Sequence, residues 1–282
     1  MSPIHDQSYR RYQGVRRPVG QAWQVIAWAG IRAMLAKRNY VFLMILSWVP
    51  FIVSAVGLYL SANFPGQVGN FFAASPAMFR SFLDRQATFV FFMTIWAGAG
   101  LIANDSRANA LQIYLSKPLL RIEYIAGKLS VLLFFLLGVT LVPGVLLILL
   151  QIAFSGSFSF ITHNASVIPS VILGSLVQVI VASTTMLALS SLSKSSRFAA
   201  LMYTGAIFFT DALAGVLRVV TGSTRMSWIS ISADMNQVTD AIFRQAPKYE
   251  TPWIVSLFVL VGLVAVSISV LERRVRGVEV VQ

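Results

Sequence analysis

The longest uncharged stretch of the chain constrains its fold more than any other feature. Not one Asp, Glu, Lys or Arg lies between Lys128 and Lys194. A helix that crosses a bilayer needs about 20 mostly apolar residues, so this stretch is too long for one crossing. Polar residues at Phe154–Ser159 and Thr162–Ser166 divide it. The stretch is therefore predicted to cross a membrane twice.

Four further segments have the length and apolarity of a spanning helix. The six predicted spans are Tyr40–Ala62, Gln86–Asn104, Leu129–Ala153, Val167–Leu192, Phe198–Val220 and Pro252–Leu271. Pro143-Gly144 should kink the third, and Pro169 suits the first turn of the fourth. The runs are continuous rather than alternating, which argues against a barrel. We expect an all-α membrane protein: a cytoplasmic segment over 1–39, a six-helix bundle over 40–272 and a cytoplasmic tail over 273–282.

The composition excludes an ordinary soluble enzyme. Hydrophobic residues make up 57% of the chain and charged residues only 11%, whereas soluble domains carry about 25% charged residues. The net charge of +12 would indicate nucleic acid binding in a soluble protein. Here the basic residues flank spans, where they contact anionic lipid. We therefore expect a lipid partner and no nucleic acid.

The distribution of Lys and Arg predicts the orientation. Sixteen lie on one side of the predicted spans and six on the other. The positive-inside rule places the richer side, with both termini, in the cytoplasm. The richer side holds Arg10, Arg11, Arg16, Arg17, Arg32, Lys37, Arg38, Arg107, Lys117, Arg121, Lys128, Lys194, Arg197, Arg273, Arg274 and Arg276, and the poorer side holds Arg80, Arg85, Arg218, Arg225, Arg244 and Lys248.

An amphipathic helix is predicted over Val19–Ala36. Its apolar residues recur with helical spacing, which suits a helix lying in the cytoplasmic membrane interface. The same pattern fits a simple anchoring helix with no further role. The apolar face comprises Trp23, Ile26, Ala27, Gly30, Ile31, Met34 and Leu35.

A second helix is predicted in the loop between spans two and three. Asp105 or Ser106 can cap it, and Pro118 ends it near Ser116. A further helical turn should begin around Leu119 and lead into span three. The alternative is an ordinary solvated connection. The apolar face of the predicted loop helix comprises Ala108, Leu111, Tyr114 and Leu115.

This loop carries a resemblance to a known family. It contains Gly100-Leu-Ile-Ala-Asn-Asp105, Ala110-Leu111, Tyr114-Leu-Ser-Lys-Pro-Leu-Leu-Arg121 and Tyr124-Ile-Ala-Gly-Lys128. These motifs resemble the permeases of the ABC-2 family. The resemblance implies an exporter in the bacterial inner membrane. Two permease subunits, the same or homologous, would be driven by two copies of a separate ATPase.

The resemblance also implies roles for named segments. Val19–Ala36 corresponds to the family's connecting helix, and Ser230–Arg244 to a re-entrant helix, with Ile231, Met235, Val238 and Ile242 spaced for one face. The loop between spans two and three corresponds to its coupling helix. Its ATPase-coupling residues would be Asp105, Arg107, Leu111, Tyr114, Leu115, Lys117, Pro118 and Arg121.

We expect no catalytic, cofactor-binding or metal site in the chain. Its Gly127-Lys128 lacks the earlier glycine and the following Ser or Thr of a phosphate-binding loop, so ATP hydrolysis would belong to the separate subunit.

Asp211 is the acidic residue inside a span, where Arg218 two turns later could reach toward it. An intramembrane carboxylate indicates function or a partner. Gln178, Ser183 and Asp211 are therefore the candidate translocation path, although the small and polar residues of span four also suit helix packing. Two other functions stay open at this point: an ion-coupled secondary transporter that uses Asp211, and a membrane scaffold without transport.

Overall fold

The computed structural model describes residues 21–64, 66, 73–109 and 120–275, and in these ranges the chain is helical, with no β-strand. We number its α-helices in chain order, and a short 3-10 helix, Ser227–Ile229, precedes α11. They are α1 Ala22–Leu35, α2 Arg38–Leu46, α3 Val49–Asn63, α4 Pro76–Gly98, α5 Ala103–Arg107, α6 Arg121–Val139, α7 Leu141–Ser155, α8 Ser159–His163, α9 Val167–Leu192, α10 Ser196–Thr221, α11 Ile231–Ile242 and α12 Trp253–Arg274.

Within the described residues, six helical segments are long and apolar enough to cross a membrane. The chain is thus an all-helical, multi-pass membrane protein, as predicted. Spans four, five and six are α9, α10 and α12, and each of the first three combines two helices. The first three run over Arg38–Asn63, Pro76–Arg107 and Arg121–Ser155.

Span one is broken between α2 and α3, which the sequence analysis did not predict. Pro50 is the second residue of α3, and a proline has no N–H to offer the carbonyl one turn before it. The Ser47 hydroxyl donates to the Met44 carbonyl at 2.6 Å, and the Ser47 carbonyl accepts from Gln86 Nε2 at 2.9 Å. Side chains therefore satisfy polar groups at the break.

Span three is interrupted at Thr140, one turn before the Pro143-Gly144 pair that predicted a kink. The Thr140 hydroxyl donates to the Leu136 carbonyl at 2.7 Å. A β-carbon on Gly144 would lie 2.7 Å from Val171 Cγ1, so the glycine lets α7 approach α9 closely.

Span two begins well before the predicted Gln86. The helix starts at Pro76, and the Ser75 hydroxyl caps it by accepting from the Met78 N–H at 3.2 Å. The turns that the prediction left out carry Arg80, Asp84 and Arg85. Each of these charges has a polar partner in the fold, so the helix can include them.

The fourth span, α9, is the centre of the bundle. Of an 18-residue apolar stretch of α9, 72% is buried, whereas only 6% of the corresponding stretch of α10 is buried. The α9 helix packs against α4, α6 and α12. Gly98 permits the contact with α4, because a β-carbon there would lie 2.5 Å from Met186 Cγ. The α10 helix therefore lies at the periphery.

A helix, α1, lies within the segment predicted to be an amphipathic N-terminal helix, and it packs chiefly on α6. Ala27, Ile31 and Met34 are its buried residues. A β-carbon on Gly127 of α6 would lie 2.9 Å from the Trp23 carbonyl oxygen, which shows how closely the two backbones approach. Its place in a membrane interface stays a prediction.

Candidate functional site

Asp105 joins the end of span two to the start of span three. Its carboxylate accepts a hydrogen bond from the Tyr124 hydroxyl at 2.8 Å and pairs with Lys128 Nζ at 2.7 Å. The ammonium also lies 5.4 Å from the centre of the Tyr124 ring. We call these three residues the loop clamp, because they tie together the two helices from which the intervening loop emerges.

This arrangement corrects the predicted role of Asp105. Neither Asp105 nor Ser106 caps a helix, since α5 begins before both of them and has no side-chain cap. Asp105 instead reaches across to α6, where the Lys128 ammonium and the Tyr124 hydroxyl stabilise its charge.

A second contact ties the same region to α1. Glu123 is buried, and its two carboxylate oxygens accept from the Leu120 N–H at 3.0 Å and from the Ala22 N–H at 3.4 Å. The first turn of α1, the end of the loop and the first turn of α6 therefore meet at one side chain. The α6 helix, which leads into span three, begins at Arg121, whereas Leu119, where a helical turn was predicted to begin, lies outside the described residues.

Ser190 secures the connection between α4 and α5, and sequence reasoning missed it. Its hydroxyl accepts from the N–H groups of Ile102 and Ala103 at 3.2 and 3.1 Å, and it donates to the Ala99 carbonyl at 2.9 Å. Ser190 is fully buried. A lone serine in an apolar span carries no sequence signal that separates this role from ordinary packing.

The remaining coupling residues are only partly described. Arg107 and Arg121 are exposed, which is compatible with contact to another subunit. The predicted anchors of the loop helix lie outside the described residues, as does its terminating proline. The residues concerned are Leu111, Tyr114, Leu115, Lys117 and Pro118.

Away from the loop clamp, side chains of α4, α9, α10 and α11 line an open cavity of about 360 Å³. We call it the membrane cavity. Gln178 and Asp211 of the predicted translocation path both line it. Ser183 is buried and donates to the Val179 carbonyl of its own helix at 2.6 Å. Two of the three predicted path residues thus meet at one cavity, and Ser183 belongs to helix packing.

The partners of Asp211 differ from the predicted one. Its two carboxylate oxygens accept from the hydroxyls of Ser230 and Ser232 at 2.5 and 2.9 Å. In the part of the chain that the structure describes, no cation pairs with Asp211, and Arg218 is not its partner. Two neutral donors orient this carboxylate and leave its charge uncompensated.

A buried arginine organises the upper wall of the membrane cavity. Arg80 is 6% exposed. Its Nε donates to Asp240 Oδ1 at 2.6 Å, and its terminal nitrogen donates to Asn236 Oδ1 at 2.8 Å. Asp84 lies 3.5 Å from Arg80 and 3.7 Å from Lys248. Sequence reasoning assigned Arg80 to a loop and missed this network, because the partner carboxylate lies far along the chain.

The α11 helix forms where a re-entrant helix was predicted, but it buries a different face. Of the four residues of the predicted apolar face, Val238 is buried, and the other three, Ile231, Met235 and Ile242, are half-buried. Asp234, Gln237 and Asp240 are buried instead. The prediction considered apolar residues alone, whereas the polar side of this helix contacts Arg80 and the segment before α12.

Burial changes the acidity of one carboxyl on α11. Asp234 is fully buried, and loss of solvation raises its pKa from 3.8 to about 7, while the Ser256 hydroxyl opposes this rise weakly. Neither oxygen of Asp234 accepts a hydrogen bond of ordinary geometry. The neutral acid is therefore populated in neutral and mildly acidic solution.

Comparison with known proteins identifies no relative of this chain. No family model matches it, and no curated protein matches it. Within the described ranges, no three His, Asp or Glu side chains cluster so that they could hold a metal ion. Functional inference therefore depends on the loop clamp, the membrane cavity and the motifs of the sequence.

Proposed function

We propose that the chain is the membrane-spanning permease subunit of an ATP-binding cassette exporter. A separate ATPase, in two copies, would drive it through the loop between spans two and three. The loop clamp is the observation that carries this proposal. It gives a mechanical role to the Asp105 and Tyr124-to-Lys128 motifs that resemble the ABC-2 permeases.

The mechanical argument starts from the location of the motor. An ATPase in solution must pass its stroke into the membrane through a small contact. A loop transmits displacement if both of its ends are fastened to spans. Asp105 holds the outgoing end against Lys128 at 2.7 Å, and Ser190 fastens the same end to span four.

The first helix would share in this transmission. Glu123 links the Ala22 N–H to the loop end, and α1 packs along α6. A displaced loop would therefore move α1 and span three together. This supports assigning α1 as the connecting helix at the cytoplasmic membrane interface, with α11 as the re-entrant helix on the other side.

The proposal includes an assembly and a location. Two permease subunits, the same or homologous, form the membrane part, which lies in a bacterial inner membrane with both termini in the cytoplasm. The sixteen Lys and Arg residues on one side support this orientation. The chain needs no cofactor, since ATP binds the partner subunit.

Replacement of two loop residues tests the proposal. Tyr114→Ala with Leu115→Ala should remove an aromatic and an apolar anchor and weaken ATPase association by about 3 kcal/mol. Co-purification of the ATPase and stimulated ATP turnover would both fall. The control is Phe158→Ala with Met226→Ala, which changes two exposed residues of loops on the other side. Unchanged recovery and turnover in the loop variant would remove the loop from the interface.

Ion-coupled transport is the second candidate, and the uncompensated Asp211 carboxylate in the membrane cavity favours it. The two candidates differ in their need for a partner. An ATP-driven permease isolated from its native membrane should bring an ATPase subunit with it. If none accompanies the wild-type protein, the ATP-driven proposal fails and ion coupling through Asp211 gains support.

A further inference from the structure

We propose that the membrane cavity binds a protonated amine carried on an apolar body. As a statement about the transported substrate this rests on the proposed function, but the binding site does not depend on an ATPase. Three properties of the cavity lead to this ligand: its apolar wall, its uncompensated negative charge and its unpartnered buried oxygens.

The apolar wall contains an aromatic cluster. Phe91 lies against the Tyr203 ring at 5.8 Å in a stacked arrangement and against Phe208 at 5.9 Å edge to face. All three line the cavity. Such a wall accepts an apolar body, and aromatic faces also attract a cation.

The charge balance favours a cation over an anion. Arg80 is the basic residue in the cavity wall, and Asp240 and Asn236 already occupy its donors. Asp84 is paired with Arg80 and Lys248. This leaves Asp211, which two serine hydroxyls orient, as the unpaired charge at the cavity. An incoming ammonium would meet a carboxylate that needs no rearrangement.

Two buried oxygens favour a ligand that donates hydrogen bonds. Gln178 is 6% exposed and Thr185 is 9% exposed. Their side-chain oxygens have no hydrogen-bond partner, and both residues line the cavity. They are seven positions apart on α9, so they share one helix face. A buried acceptor without a donor is costly, and the N–H groups of an ammonium would supply the donor.

The two sets of groups together select an ammonium with N–H groups. A quaternary ammonium would satisfy the Asp211 charge and leave the Gln178 oxygen without a donor. An alcohol would supply a donor and leave the carboxylate uncompensated. A carboxylate would be repelled by Asp211.

Four probes with one rigid body test this ranking. They are 1-adamantanamine, its N,N,N-trimethylammonium derivative, 1-adamantanol and 1-adamantanecarboxylate. Isothermal titration calorimetry would use the full chain in phosphatidylcholine nanodiscs, with empty nanodiscs subtracted, so that no anionic lipid attracts the cations. The amine should bind about tenfold tighter than the alcohol, with the trimethylammonium between them and no measurable binding of the carboxylate.

Variants assign the preference to residues. Asp211→Asn should reduce binding of the amine to that of the alcohol. Gln178→Leu with Thr185→Val should abolish the preference for the amine over the trimethylammonium. The control Glu250→Gln alters an exposed carboxylate that also accepts a serine hydroxyl, from Ser223 at 2.6 Å, outside the membrane cavity, and should change nothing.

Several results would overturn the proposal. These are equal affinity for amine and alcohol, preference for the carboxylate, absence of heat with all four probes, or full amine binding by Asp211→Asn. If a variant fails to fold, the ranking of the probes on the wild-type protein decides. If phosphatidylethanolamine added to the nanodiscs competes with the amine probe, the natural ligand is a lipid amine. If it does not compete, the natural ligand is a soluble amine.

The test separates this proposal from the proposed function. The titration contains no ATPase, so loss of ATPase association would leave the amine ranking intact. Conversely, an ATPase that co-purifies with a protein unable to distinguish the amine from the alcohol would support the permease and reject this substrate class.

Discussion

Arg80 joins span two to α11 through a buried guanidinium. Its partner Asp240 is 2% exposed, and the two groups lie 2.6 Å apart. Removing one member of a buried pair leaves an uncompensated charge, which is more destabilising than the pair is stabilising. The pair therefore gives α11 a defined position on the bundle.

We predict that Asp240→Asn lowers the free energy of unfolding by about 3 kcal/mol, because Arg80 would lose its buried carboxylate partner and keep only the exposed Asp84, at 3.5 Å. Thermal unfolding followed by circular dichroism would measure this as a lower Tm. The matched control is Glu250→Gln, which breaks an exposed pair with Arg225 at 3.4 Å and should change the Tm little. Equal effects of the two variants would show that burial of the Arg80 pair is unimportant.

The raised pKa of Asp234 predicts that the stability of the fold depends on pH. Its pKa rises from 3.8 to about 7 on burial, so between these values the folded chain holds a proton that the unfolded chain has released. The contribution of Asp234 to the free energy of unfolding is fully present below pH 3.8. It declines as the pH rises toward 7, by at most about 1.4 kcal/mol for each pH unit. Above pH 7 the loss is constant.

The measurement compares the Tm of wild type and Asp234→Asn between pH 5 and pH 8. The wild-type Tm should fall more steeply with rising pH, because the amide cannot ionise. Glu272→Gln, at an exposed position, should keep the wild-type slope. A parallel pair of curves for wild type and Asp234→Asn would contradict the prediction.

Among the helices, the contact between α1 and α6 depends on one missing side chain. A β-carbon on Gly127 would lie 2.8 Å from Ile26 Cβ and 2.9 Å from the Trp23 carbonyl oxygen. The second neighbour is backbone and cannot rotate away. The two helices can therefore approach this closely only while residue 127 is glycine.

We predict that Gly127→Ala forces α1 away from α6 and destabilises the fold by about 1–3 kcal/mol. The same helix provides the control, since Gly138 has nothing within 4 Å of an added β-carbon. Gly138→Ala should be neutral or slightly stabilising, because alanine favours helix over glycine. Tm values and trypsin cleavage at Lys37-Arg38 would be compared. Opposite signs for the two variants are expected, and a stable Gly127→Ala protein would show that α1 packs more loosely.

For the whole molecule, the predicted topology places both termini in the cytoplasm, since sixteen of the 22 Lys and Arg residues lie on that side. Alkaline phosphatase fused after the last residue should be inactive, because it folds only outside the cytoplasm. The same enzyme fused after Phe158, between spans three and four, should be active. An active C-terminal fusion would reverse the orientation and place the loop clamp away from a cytoplasmic ATPase.

Prediction from sequence succeeded where one segment carries its own signal. Span four begins at Val167 and ends at Leu192 in both prediction and structure, because uncharged residues and a proline in the first turn mark it locally. The helix at α11 was also predicted, but its buried face was not. The choice of face depends on Arg80, which lies on another span.

The residues of the candidate sites likewise divide into those with a local signal in the sequence and those without one. Gln178 and Asp211 were selected because polar residues are unusual within apolar spans, and both line the membrane cavity. Asp105 was selected from a motif, and its role in ATPase coupling stays a prediction, whereas neither Asp105 nor Ser106 provides the predicted helix cap. Ser190 and Asp240 carried no local signal, so neither was selected.

The composition of each segment is enough to predict six helices that are long and apolar enough to cross a membrane, and the described residues contain six, because the energy of apolar residues in lipid is a property of each segment alone. Which polar groups are paired depends instead on how the helices pack. Asp105 with Lys128, Arg80 with Asp240 and Asp211 with two serines are partners brought together by folding. A charge inside a membrane is costly without polar partners, and those partners can be on any helix of the bundle.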